Sequence, residues 1–260
     1  MRSRRTFATT LVVAASLMPI ASPTSAQTEV QFQYGNLLDQ FSNESAGSWV
    51  LTLQHASFWS HGDNFFFADF VTAPDDRDHD VQDVWMEWYS NFSLGSIFGS
   101  GPGDGVIRDV GFLPGINIGA DPNILQILPG ARLSWKLPGF LFLNTDFSLA
   151  LDRSAGLAGR GAPSTDARFF FDLNGTAVFG GGPLQFMLSG HAEYAASTTN
   201  ELGEEVPFWV LAQPQLTVDA GGLVGAEGKL FLGVEYQYWK NKLGSRNTES
   251  VPQFLAIWRF

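Results

Sequence analysis

The chain has 260 residues, with 26 Asp and Glu against 15 Lys and Arg, for a formal net charge of −11. That balance argues against electrostatic binding of nucleic acid. The absence of cysteine rules out disulfide staples, thiolate metal sites and a cysteine nucleophile.

Residues 1–26 read as a secretory signal. Arg2, Arg4 and Arg5 form a basic start, Leu11 to Ala21 an apolar stretch too short to span a bilayer, and Thr24-Ser25-Ala26 a small-residue cleavage site before Gln27. Its removal takes away three arginines and no acid, so the formal charge moves to −14. Beyond it no apolar run approaches the ~18 residues of a spanning helix, yet the chain carries 23 Phe and 8 Trp. An exported, aromatic-rich chain without spanning helices fits a closed membrane barrel.

Period-2 alternation then recurs along residues 27–260, which read as one domain. Ala131, Leu133, Trp135 and Leu137 oppose Arg132, Ser134 and Lys136. Leu143, Thr145, Phe147, Leu149 and Leu151 oppose Asn144, Asp146 and Ser148. Phe169, Phe171 and Leu173 oppose Arg168, Phe170, Asp172 and Asn174. Leu184, Phe186, Leu188, Gly190, Ala192 and Tyr194 oppose Gln185, Met187, Ser189, His191 and Glu193. Phe208, Val210, Ala212, Leu216 and Val218 oppose Gln213, Gln215, Thr217 and Asp219. Leu230, Leu232, Val234, Tyr236 and Tyr238 oppose Lys229, Phe231, Gly233, Glu235, Gln237 and Trp239. The end closes the pattern, with Phe254, Ala256, Trp258 and Phe260 on one face and Gln253, Leu255, Ile257 and Arg259 on the other. A soluble sandwich also alternates, but here long segments keep one face almost free of charge.

The expected fold is all-β: an antiparallel transmembrane β-barrel. Its strands fall near 30–38, 49–59, 64–73, 82–93, 105–119, 125–137, 140–152, 166–178, 183–195, 206–219, 228–241 and 250–260. Twelve is even, as closure with both ends on one side requires. Pro114 and several glycines interrupt 105–119, which leaves ten strands as the alternative. Short turns at Leu137-Pro138-Gly139, Gly180-Gly181-Gly182-Pro183 and Ala220-Gly221-Gly222 alternate with longer polar loops at 74–81, 153–165, 196–205 and 241–250. That asymmetry matches short periplasmic turns and long outer loops.

A Ser/His hydrolase needs a nucleophile and base in direct reach. His191 faces the lumen with Ser189, but neighbours on one strand face are about 7 Å apart. His61 and His79 fall in turns or loops. Asp75-Asp76-Arg77-Asp78-His79-Asp80 lacks the spacing and glycine of an EF-hand and reads as a solvated loop. No enzymatic activity, cofactor or metal centre is expected. Lumen selectivity is the more natural chemistry. Phe65, Phe67 and Asp69 share one face, as do Trp85, Glu87, Tyr89 and Asn91 on the next strand. Rings beside acids and amides suit a flat, polar, uncharged solute, stacked on its π-face and bonded at its edges. The other reading of Phe65 and Phe67 is that they fill barrel wall, as Phe66 and Phe70 do.

Residues 49–93 resemble the Tsx-like family of nucleoside-specific outer-membrane channels. The resembling pieces are Asp63-Asn64-Phe65-Phe66-Phe67, Ala73-Pro74, and Met86-Glu87 leading to Phe92-Ser93. Gly233-Val234-Glu235-Tyr236-Gln237-Tyr238-Trp239 and the terminal Phe260 are similar too. The chain departs from the pattern at Phe66, around 60–63, and in its Gly/Pro/Asp-rich middle, 100–130. The resemblance implies a monomeric twelve-stranded barrel of the bacterial outer membrane, in lipid and lipopolysaccharide, binding nucleosides along its wall. It also implies a phage or colicin receptor role in some bacteria.

The expected function is therefore a passive nucleoside channel. Phe65, Phe67 and Trp239 would stack the base. Asp69, Glu87, Tyr89 and Glu235 would bond its edges and ribose, and Arg168 would balance nearby acids, Asp172 being one candidate. The alternative is a non-conducting barrel serving as a structural or receptor surface protein.

Overall fold

A computed structural model describes residues 25–39, 43–72, 82–181 and 184–260. Most of the expected signal segment, the 74–81 loop with Asp75–Asp80 and His79, Ala73-Pro74 and Gly182-Pro183 lie outside the described residues. The chain forms β1 (Ser25–Leu38), β2 (Ser45–Trp59), β3 (Gly62–Thr72), β4 (Gln82–Ser93), α1 (Leu94–Ile97), β5 (Ile107–Gly119) and β6 (Ile124–Trp135). Then follow β7 (Phe140–Asp152), β8 (Arg168–Gly181), β9 (Leu184–Ala195), the loop strands β10 (Thr198–Thr199) and β11 (Glu205–Val206), β12 (Trp209–Ala212), β13 (Gln215–Asp219), β14 (Leu230–Lys240) and β15 (Thr248–Arg259). No helix among the described residues is long and apolar enough to cross a membrane.

Each wall strand pairs antiparallel with the next, β10 and β11 pair only with each other, and β15 pairs with both β14 and β1, so the sheet closes. β12 and β13 are halves of one wall strand. Ala212 opposes Ala192 and Gln215 opposes Ser189 in unbroken register. The gap falls at Pro214, which has no N–H for the ladder. Opposite it, Gly190 takes φ +122°, and a Cβ there would meet Gln213 O at 2.2 Å. With these halves counted once, the barrel has twelve strands.

The ten-strand alternative fails because β5 runs through Pro114. Pro114 faces Pro129 of β6 within a continuous β5–β6 ladder. The missing N–H groups therefore point away from each other. The β4–β5 ladder skips from Tyr89–Gly115 to Phe92–Phe112, and the β6–β7 ladder from Ile127–Leu151 to Gly130–Ser148. The two prolines thus interrupt two neighbouring ladders and leave their shared one whole.

Connections follow the expected asymmetry with three exceptions, one of them the 220–229 connection, which is long although it lies at the end shared by both termini. The 94–106 connection lies at the end shared by both termini, yet it is long and carries α1, capped by Ser96 N–H donating to Ser93 Oγ at 3.0 Å. At the opposite end, Gly119 and Ile124 are joined by four residues only. Elsewhere the outer loops are ordered against each other. Glu201 Oε1 accepts from Leu157 N–H at 2.7 Å and Ser164 N–H at 3.0 Å.

The outward face is apolar. Leu51, Leu53, Phe70, Phe112, Phe147, Leu188, Val234 and Phe254 are all exposed. Aromatic pairs flank this band, among them Tyr34 with Trp49 at 4.2 Å. With about 25 cal/mol gained per Å² of apolar surface removed from water, such a belt belongs in hydrocarbon, and closure leaves no unpaired edge there. A closed antiparallel barrel with this girdle is an outer-membrane β-barrel.

Candidate functional site

The inward face decides function, and its alternation is the predicted one. Phe67 of β3 stands between Gln54 and Glu87, Asp69 between Thr52 and Trp85, and Phe65 between Ala56 and Tyr89. Phe65, Phe67, Asp69, Glu87 and Tyr89 thus share one patch of lumen wall. The Phe65 and Phe67 rings lie 6.0 Å apart and are half-buried. Phe66 and Phe70 point outward, as expected.

The carboxylates of this wall are already engaged. Glu87 accepts from Trp85 Nε1 at 2.7 Å, Tyr89 O–H at 3.0 Å and Asn117 Nδ2 at 3.1 Å, and is 4 % exposed. The Tyr89 ring lies over Gly115, where a Cβ would sit 2.5 Å from it. Glu235, 3 % exposed, accepts from Gln215 at 2.8 Å and Gln253 at 2.9 Å. Among the described residues Asp69 holds one donor, the Thr52 hydroxyl at 2.5 Å. A solute could use Asp69 directly, whereas Glu87 and Glu235 must first release donors of the wall.

Two expected roles are corrected. Trp239 does not join Phe65 and Phe67. Its ring packs edge-on to Trp209 at 5.9 Å, in an apolar layer of Leu128, Ala150, Phe170, Ala195 and Leu211 near the outer end. The cause is register: Leu211 and Trp239 oppose each other, so the Trp239 ring enters the lumen beside Leu211 and one same-face position from Trp209. Arg168 does not pair with Asp172. Its guanidinium lies 5.7 Å over the Trp209 ring, and its Nε has no hydrogen-bond partner among the described residues. Asp172 instead faces His191 Nδ1 at 3.5 Å and accepts from Asn174 at 2.6 Å. Four residues of strand, roughly 13 Å, separate Arg168 from Asp172.

Side chains also meet across the lumen, which period-2 reading does not show. Arg132 of β6 donates through Nε and Nη2 to Asp146 of β7 at 2.8 and 2.7 Å, and through Nη1 to Asp63 of β3 at 2.9 Å. Gln215 of β13 donates to Gln31 of β1 at 2.9 Å. Glu87 and Glu193, on β4 and β9, lie within electrostatic reach of each other. Near the termini a second apolar layer of Met187, Phe231, Leu255 and Ile257 closes in, with Arg259 over the Phe231 ring at 4.3 Å and bonded to Glu29 at 3.0 Å. At the outer end Lys242 turns inward to Glu249 at 3.0 Å, Leu38 O at 2.7 Å and the Trp239 ring at 5.4 Å. Ser189 donates to Gln215 rather than to His191, so the two do not form a hydrolase pair. Alternation placed Arg132 on the lumen face with Ser134 and Lys136 but carried no signal for its acid partners on β3 and β7.

No family model and no curated protein matches the chain. Among solved structures it is similar to the KdgM porin in complex with disordered oligogalacturonate, at 8% identity and TM-score 0.48, covering 89% of this chain and 98% of that one. It is also similar to the NanC porin, at 13% identity and TM-score 0.48, covering 88% and 97%. An outer membrane channel from Pseudomonas putida F1 is similar at 8% identity and TM-score 0.49, covering 92% and 97%.

Proposed function

We propose that this barrel is a passive channel for small polar solutes, with nucleosides the class its wall suits best. One observation carries the reading. The half-buried Phe65–Phe67 pair stands in the lumen beside Asp69, an acceptor with a single donor. Rings and acceptor together offer a base its π-face contact and its edge contact. Glu87, Tyr89 and Glu235 extend the polar wall, and Trp239 with Arg168 forms a separate threshold at the outer end. Passage through such a lumen proceeds by side chains exchanging wall partners for solute, a chain of weak sites rather than an open tube.

A second reading has its own observation. Gln253, Glu249 and Thr217, all lumen-facing, are at most 2 % exposed, and apolar layers close both ends. A barrel so filled would conduct nothing and would serve as a structural or receptor surface protein.

Purified protein in planar bilayers separates the two. Stepwise conductance blocked by adenosine or thymidine supports the nucleoside channel. Conductance that nucleosides leave untouched, but another small polar solute or an acidic oligosaccharide blocks, keeps the channel and overturns the solute class. Absence of conductance from a folded barrel supports the second reading.

A further inference from the structure

Midway along the lumen, Asp172 of β8 and His191 and Glu193 of β9 converge. One ligand atom from each lies within 4.8 Å of the others. His191 Nδ1 is 3.5 Å from Asp172 Oδ1 and 3.3 Å from Glu193 Oε1. These separations are long for a charge-assisted hydrogen bond, which runs about 2.7–2.9 Å. They match a different geometry: a tetrahedron of 2.1 Å metal–ligand bonds has edges of about 3.4 Å.

The surroundings present the right atoms. Gln213 donates its amide nitrogen to Gln237 Oε1 at 3.0 Å and turns it toward Glu235. Its amide oxygen is therefore the atom 2.8 Å from His191 Nε2. An acceptor there places the imidazole proton on Nε2 and leaves the Nδ1 lone pair facing the two carboxylates, the arrangement that outer partners impose on metal-binding histidines. Asn174 holds Asp172 by its other oxygen, while Asp172 Oδ1 is buried with no hydrogen-bond partner among the described residues. Glu193 is 5 % exposed, and the atom facing it is the same His191 Nδ1, at 3.3 Å. A buried carboxylate oxygen left unpaired is costly, and a cation between these groups would satisfy both acids at once.

We infer that Asp172, His191 and Glu193 form a binding site for one divalent transition metal of the zinc class, with a fourth position open to a lumen water. The donor set of one imidazole and two carboxylates suits zinc or cobalt better than calcium, which takes six to eight oxygens. The metal would tie β8 to β9 and, through Gln213, to the Pro214 break in the next wall strand.

The test uses untagged, folded full barrel in detergent, stripped with a chelator and titrated with Zn²⁺ by calorimetry and with Co²⁺ by visible absorption. The expected result is saturable binding of one equivalent, with the intense cobalt bands of low coordination number. Glu193→Gln and His191→Ala should abolish it, and Gln213→Ala should weaken it about tenfold or more. Asp172→Asn, which keeps the side-chain shape, serves if His191→Ala does not fold. Substituting the Asp75–Asp80 acids should leave binding unchanged. Absence of saturable binding in the folded wild type overturns the site and leaves an imidazolium between two carboxylates. Wild-type affinity in folded Glu193→Gln and Asp172→Asn also overturns it, by placing the metal elsewhere.

Discussion

Arg132 is the lumen residue whose removal should do the most damage. Its guanidinium bonds Asp146 through two nitrogens at 2.8 and 2.7 Å and Asp63 through the third at 2.9 Å. Arg132 and Asp146 side chains are each 8 % exposed, and Asp63 25 %. At an effective dielectric of 20, a unit pair at 2.8 Å attracts by about 6 kcal/mol. Desolvation of the three groups offsets much of that, so the intact triad adds little net stability. Deleting the cation alone is different. Arg132→Ala leaves two inward carboxylates, supported among the described residues by Asn91 at 2.8 Å and Asn174 at 3.1 Å. The expected loss is about 3–5 kcal/mol, as for other buried pairs stripped of one partner. Replacing all three groups, with Asp63→Asn, Arg132→Met and Asp146→Asn together, should cost less than Arg132→Ala alone. Urea unfolding of the barrel followed by tryptophan fluorescence measures both. A loss under about 1 kcal/mol for Arg132→Ala, or a triple variant as unstable as the single one, would refute the argument.

Phe67→Ala should weaken nucleoside block of the channel about tenfold or more, since stacking on one ring is worth about 1–3 kcal/mol per base; Glu87→Ala should also reduce nucleoside uptake with assembly unchanged, and liposome swelling with nucleosides reads both. Trp209→Ala takes one ring from the outer apolar layer where Arg168 and Trp239 meet. It should raise single-channel conductance while costing about 3–5 kcal/mol of stability. Glu201→Ala frees two loop amides, at about 1 kcal/mol or a little more. Limited proteolysis should then cut within 153–167 faster, with the barrel's unfolding midpoint nearly unchanged.

The wall of this barrel was legible because a strand's side-chain period is 2 and its apolar face must meet lipid. The predicted bounds of β4 and β7 match the structure to the residue, and every alternation named from Ala131 onward is the one that closes the sheet. Proline misled locally. Pro114 argues against a strand when read alone, and only its pairing with Pro129 shows why β5 survives. The one-turn helix after β4 left little trace, since Leu94-Gly95-Ser96-Ile97 is too short to show a helical period.

The lumen was legible as a list and illegible as an arrangement. Alternation tells which side chains point inward, not which of them meet across roughly a barrel's radius. Trp239 and Phe67 face the same way, yet register sends one to Trp209 and the other to Phe65. Arg168 and Asp172 are same-face neighbours in sequence, yet strand rise keeps them apart while Asp172 meets His191 on the next strand. The same geometry bears on transport. Glu87 and Glu235 each face two or more donors from their own wall, so a solute gains from them only the difference between its bonds and theirs. A solute would gain more from Asp69, where among the described residues Thr52 alone competes. On the proposed channel function, selectivity would rest on the acceptors the wall leaves free, and the Phe65–Phe67–Asp69 patch would carry more of it than the better-bonded acids beside it.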